Sequence, residues 1–171
     1  LEIGDNTYTN KFGQKRVIRS EVLHALPGNP AATIIGNLAT GDSIPTSMFD
    51  CIILTQTLPF IYEIHSAIMN CYKALKPDGV LLLTVPGISQ ISRYDMDRWG
   101  DYWRFTDLSI KRLLCEFFIE ENIQIEIYGN VKTAVAFLQG IATEELDSKD
   151  LNFQDRDYQV LIGVRSIKKA S

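Results

Sequence analysis

Two uninterrupted apolar runs separated by one helix's length of chain constrain this sequence most. Cys51-Ile52-Ile53-Leu54 follows Phe49-Asp50, and Val80-Leu81-Leu82-Leu83-Thr84-Val85 follows the turn signal Lys76-Pro77-Asp78-Gly79. Central strands of a parallel sheet need such runs, because helices cover both their faces. Between the runs, Ile61, Ile64, Ile68, Cys71, Tyr72 and Leu75 recur at three- and four-residue spacing. That spacing predicts an amphipathic helix over 62–75, which Pro77 cannot continue. Strand, helix and strand make a right-handed βαβ unit.

The rest of the chain extends this unit. Arg16 to Ser20 and Thr33 to Ile35 read as two further parallel strands. Ile123, Ile125 and Ile127, and later Tyr158, Val160, Ile162 and Val164, alternate with other residues, as strands with one wetter face do. A helix capped by Thr106 or Asp107 buries Ile110, Leu113, Leu114, Phe117 and Phe118. Another runs from about Val131 to Ala142 with Val131, Ala134, Val135 and Leu138 on its core face, and the charged stretch Glu144 to Asp150 reads as a solvated loop. The expected architecture is α/β: a Rossmann-like wound sheet, mostly parallel with an antiparallel C-terminal strand, and helices on both faces. All 171 residues form one expected domain. Leu1-Glu2-Ile3-Gly4 lacks an initiator Met and reads as the end of a strand, so the N-terminus is expected to be truncated.

Composition narrows the function classes. Seventeen Lys and Arg against 21 Asp and Glu give a net charge of −4, which argues against a nucleic-acid partner. No apolar run reaches the ~20 residues of a membrane span. Cys51, Cys71 and Cys115 are odd in number and set in apolar segments, which predicts reduced thiols in a cytoplasmic protein. With two histidines and no Cys-x-x-Cys pair, no metal is expected.

Ligands of open parallel sheets bind past the carboxyl ends of the strands. The residues at those points, Leu1-Glu2-Ile3-Gly4, Glu21, Gly36-Asn37-Leu38, Phe49-Asp50-Cys51-Ile52-Ile53-Leu54 and Leu75-Lys76-Pro77-Asp78-Gly79-Val80-Leu81-Leu82, resemble the successive motifs of class I S-adenosylmethionine-dependent methyltransferases, of the type 11 kind. The resemblance covers essentially the whole chain and implies S-adenosyl-L-methionine as cofactor. It implies that Gly4, with Asp5 and Asn6, lets the backbone pass close to the methionine moiety. Glu21, seventeen residues past Gly4, would meet the ribose hydroxyls. Asn37 would meet the adenine amino group, Leu38 would cover the adenine face, and Thr55 or Gln56 would line the far side. The first loop, Gly4-Asp5-Asn6-Thr7-Tyr8-Thr9, has one glycine where the family has Gly-x-Gly-x-Gly.

The stretch from Arg93 to Thr106 holds both tryptophans, three arginines and three aspartates. It is expected to hang over the pocket mouth, either as a packed loop or as an acceptor-binding lid. In the second reading Trp99, Tyr102 and Trp103 stack on the acceptor, Arg93 and Arg104 supply forked donors, and Asp95, Asp97 or Asp101 serves as general base. Its Trp-Arg-Phe-Thr close resembles methyltransferases of glycan and surface-polymer biosynthesis. The expected function is O-methylation of a small molecule or a sugar or glycan hydroxyl. The alternatives are a non-enzymatic methyltransferase-like binding or scaffold protein, and a nicotinamide-dependent dehydrogenase, whose Gly-x-Gly-x-x-Gly signature is absent.

Overall fold

The computed structural model describes residues 1–170, and seven segments are strands: β1 (Glu2–Ile3), β2 (Val22–His24), β3 (Ile34–Ile35), β4 (Phe49–Thr55), β5 (Leu75–Pro86), β6 (Ile123–Tyr128) and β7 (Leu161–Ile167). They form one sheet in the order β3-β2-β1-β4-β5-β7-β6. The first five are parallel, and β7 runs antiparallel between β5 and β6. The helices are α1 (Ile64–Ala74), α2 (Arg93–Met96), α3 (Asp107–Leu114), α4 (Val131–Gln139) and α5 (Ser148–Asn152).

The two apolar runs lie side by side as expected, with Cys51 opposite Val80 and Leu54 opposite Leu83. Alternate residues define the faces. Ile52, Leu54, Leu81, Leu83 and Val85 are buried together with Ala67, Ile68 and Cys71 of α1 and Ile110 and Leu114 of α3. Thr106 caps α3: its side chain accepts from the Ser109 amide while Ser109 Oγ accepts from the Thr106 amide. Lys168 Nζ donates to the carbonyls of Tyr72 and Leu75 at the end of α1, and burial lowers its pKa.

Three expectations need correction. The second strand is Val22–His24, and Arg16 to Ser20 is not a strand. Val22 and Leu23 have buried neighbours, whereas Ile18 is fully exposed among basic residues. Ahead of it lie only a π-turn over Thr9–Gly13 and a 3-10 turn over Gln14–Arg16. Second, α4 ends at Gly140, in the left-handed conformation, and its expected core face is largely inverted: Val131, Val135 and Leu138 are exposed while Ala134 and Ala136 are buried. Third, the charged stretch after α4 is partly ordered as a 3-10 turn at Thr143–Glu145 and as α5.

Candidate functional site

β1 and β4 are neighbouring parallel strands from which the chain winds in opposite directions, and ligands of such sheets sit past the carboxyl ends at that reversal. Gly4 leaves β1 there with φ +86, and a Cβ built on it would have nothing within 4 Å. The backbone is thus left-handed, as glycine allows, beside open space. Glu2, 3% exposed, holds the loop that follows: its carboxylate accepts from the amides of Tyr8 at 3.0 Å and Thr9 at 2.8 Å. Asp5 Oδ1 accepts from the Thr7 amide, Asn6 Oδ1 accepts from Asn10 Nδ2, and Asn29 Nδ2 donates to the Gly4 carbonyl at 2.6 Å.

Beside this loop, Thr55 and Gln56 close β4. The Gln56 amide donates to the Thr84 carbonyl at 3.0 Å, and its side-chain nitrogen donates to Thr84 Oγ1 at 3.2 Å. Both residues line a groove of about 1610 Å³ that begins at these strand ends, beside Ser92 and Arg104, and continues along the sheet face opposite α1 and α3. Phe137 of α4 also reaches the groove. Burial pushes the thiol of Cys51, on the same wall, above its usual pKa, and that of Cys71 in the core up to about 12.

The remaining candidates lie elsewhere. Glu21 immediately precedes β2, so it sits at the amino end of the sheet, about 10 Å along the strand from the carboxyl end. Its carboxylate pairs with Arg19 at 2.5 Å, and hydrogen bonds from Thr33 and Arg19 hold its pKa down. The carboxyl end of β2 carries His24, whose ring meets the Trp99 ring edge-on at 5.6 Å. At the end of β3, Asn37 Oδ1 accepts from the Ala39 amide, and Leu38 is buried in the core beneath the carbonyl contact from Asn70.

The 93–106 segment, expected either as a packed loop or as a lid, is anchored at three points. Its anchors are Tyr102 N to the Pro59 carbonyl, Trp103 Nε1 to the Ile61 carbonyl and Phe105 N to the Pro86 carbonyl. Asp101, its side chain 2% exposed, accepts from Arg104 at 2.5 and 3.0 Å and from the Ser92 amide at 3.2 Å. Arg104 also donates to the carbonyls of Gln90 and Trp103. Of the substrate-binding candidates only Arg104 lines the groove; Trp103 and Tyr102 pack on Tyr62, Trp99 on His24, and Arg93 reaches Met96 Sδ. Of the three general-base candidates, Asp101 also lines the groove. Asp101 is committed to Arg104, Asp95 accepts from the Ser92 hydroxyl at 2.6 Å, and Asp97 is exposed after α2. Sequence reasoning missed Glu2, whose signal was an acid inside an apolar strand, and Asn29, inside the Pro27–Pro30 turn. Among the described residues no group of three or more His, Cys, Asp and Glu is placed to hold a metal ion, and no helix is long and apolar enough to cross a membrane.

The Arg104 contact depresses the Asp101 pKa. A depressed carboxylate contributes stability that is fully present above its unfolded pKa of about 3.9 and is lost as pH falls through the folded value. Asp101→Asn is expected to cost about 2 kcal/mol at pH 7. The gap between its melting temperature and that of the wild type should shrink from pH 5 to pH 3, as measured by circular dichroism.

No family model matches the sequence. A curated protein, probable polyketide synthase 10 of Dictyostelium discoideum, is 31% identical over 84 residues, 49% of this chain and 3% of the other. The whole chain superposes on solved enzymes. A SAM-dependent methyltransferase from Archaeoglobus fulgidus matches with a TM-score of 0.62 at 12% identity, over 98% of this chain and 84% of that one. The fold is that of S-adenosylmethionine-dependent methyltransferases. Phosphoethanolamine N-methyltransferase 2 of Haemonchus contortus, solved with S-adenosyl-L-methionine, matches with a TM-score of 0.64 at 13% identity, over 99% and 48% of the two chains. A possible histamine N-methyltransferase from Thermotoga maritima gives 0.64 at 11% identity, over 98% and 81%. This methyltransferase fold is present from β1 through β7, with β7 antiparallel as expected.

Proposed function

We propose that this protein is an S-adenosylmethionine-dependent methyltransferase that binds its cofactor across the carboxyl ends of β1 and β4. The observation carrying this reading is the open space beside Gly4, at the point where the winding reverses. The cofactor supplies a methyl group on a sulfonium. Gly4, Asp5 and Asn6 would border its methionine end, and Thr55 and Gln56 its far side. The ribose end departs from the family pattern, because Glu21 lies at the other end of β2 and His24 stands where a carboxylate was expected.

Thr84, Ser89, Gln90, Ser92 and Arg104 give the acceptor side of the groove hydroxyl, amide and guanidinium groups. That lining suits a hydroxyl-rich acceptor and supports O-methylation of a small molecule or a sugar. With Asp101 held by Arg104, the chain's main contribution is alignment of the two reactants, which lowers such barriers by roughly 7–11 kcal/mol. Three free thiols suit a reducing compartment and support a cytoplasmic location.

A thermal-shift comparison tests the reading. S-adenosylhomocysteine should raise the melting temperature and NAD should not, with about 2.7 kcal/mol of added stability at a hundredfold excess over Kd. Glu21→Ala should bind S-adenosylhomocysteine as tightly as the wild type. No shift with the wild type would contradict the reading. Binding without transfer to any hydroxyl acceptor would favour the scaffold alternative, to which the missing carboxylate at the end of β2 lends weight.

A further inference from the structure

Among the described residues, every hydrogen bond of residues 93–100 stays within 92–100. The amides from Met96 to Gly100 all donate inside this short turn, and the Arg98 guanidinium lies 3.5 Å over the Tyr94 ring. The turn closes at its neck, where the Ser92 amide donates to Asp101 at 3.2 Å and Arg104 donates to the Gln90 carbonyl at 2.7 Å. Gly100, at φ +92, turns the chain back against the Tyr102 ring, which a Cβ would meet at 2.2 Å. The anchors at Tyr102, Trp103 and Phe105 all lie beyond that point. Residues 93–100 are thus a flap held by its neck. Among the described residues its one aromatic tie to the sheet is the contact of Trp99 with His24.

That tie spans the strand ends proposed for the cofactor. The strands run β2-β1-β4-β5, so a chain that leaves β5 and touches the end of β2 crosses three strand spacings, about 14 Å. The flap therefore crosses the carboxyl edge of β4 and β1, where Gly4 leaves its strand beside open space. Gly4 and His24 are neighbours at that edge. The Gly4 amide donates to the Leu23 carbonyl at 2.9 Å, and Asn29 ties the loop after β2 to the Gly4 carbonyl.

The two rings have the chemistry for a nucleoside. His24 Nδ1 lies 2.7 Å from the Leu26 carbonyl and 3.3 Å from the Leu26 amide nitrogen. A carbonyl only accepts, so the shorter contact puts the proton on Nδ1, and the neutral ring keeps Nε2 as an acceptor. Nε2 has no hydrogen-bond partner among the described residues. A ribose hydroxyl can donate to it, as it would to a carboxylate at that strand end, and Glu21 lies at the other end of β2. Trp99 brings beside it a flat indole, the kind of surface on which a base stacks.

Resting on the methyltransferase reading, we propose that His24 and the flap residue Trp99 hold the nucleoside end of the cofactor, His24 Nε2 accepting from a ribose hydroxyl and the Trp99 indole packing on the adenine. Calorimetric titration of the full chain with S-adenosylhomocysteine, and with 5′-methylthioadenosine, which lacks the amino-acid end, tests this. Trp99→Ala is expected to weaken both ligands by about tenfold or more, and His24→Ala to weaken both by about fivefold. Melting temperatures without ligand should stay at the wild-type value, because residues 93–100 contribute nothing to the core. Tryptophan emission gives a second readout. S-adenosylhomocysteine should change it in the wild type and leave it unchanged in Trp99→Phe, which keeps Trp103. Wild-type affinity in either alanine variant would overturn the proposal while leaving the methyltransferase reading in place. So would a loss confined to S-adenosylhomocysteine, which would put the two rings at the methionine end. A wild type that binds neither ligand would instead contradict the methyltransferase reading itself.

Discussion

Alanine at position 4 should abolish S-adenosylhomocysteine binding, lowering affinity at least a hundredfold (~2.8 kcal/mol), while the chain still folds. Two costs separate here. The folded protein would carry an L-residue at φ +86, a strain of about 1–2 kcal/mol. It would suffer no clash, because nothing lies within 4 Å of the added methyl group. That same methyl group would project into the space proposed for the cofactor's methionine end. Calorimetric titration beside a denaturant melt measures both quantities. Retained affinity would remove Gly4 from the binding site.

Glu2→Ala should be the most destabilising change near the site, at about 3 kcal/mol. The carboxylate is buried and accepts from two backbone amides, so its removal leaves two donors unpaired. It also frees the loop that Gly4 begins. S-adenosylhomocysteine affinity should therefore fall together with stability, and urea unfolding of the variant is the direct measurement. A loss of stability below about 1 kcal/mol would show that water replaces the carboxylate at little cost.

The parts of the fold legible in the sequence were those with long physical signals. β4 and β5 each carry an apolar run long enough to mark a central strand, although only Ile52, Leu54, Leu81, Leu83 and Val85 are buried while Leu82 faces the groove, and α3 carries Thr106 and Ser109 in capping positions. β1, β2 and β3 have two or three residues each, below the length at which periodicity speaks. A shift of a few residues in β2 carried Glu21 from the carboxyl end of the sheet to the amino end. α4 is apolar on several sides, so spacing could not choose its buried face. In the Arg93–Thr106 segment, composition alone could not separate charges that meet a ligand from charges that meet each other. The Asp101–Arg104 pair is of the second kind.

Equilibrium dialysis of the full chain against radiolabelled S-adenosylmethionine tests the central claim most directly. The account predicts one cofactor bound per chain, displaced by S-adenosylhomocysteine, insensitive to Glu21→Ala and lost in Gly4→Ala. A folded wild-type protein that retains no label at millimolar cofactor would contradict it.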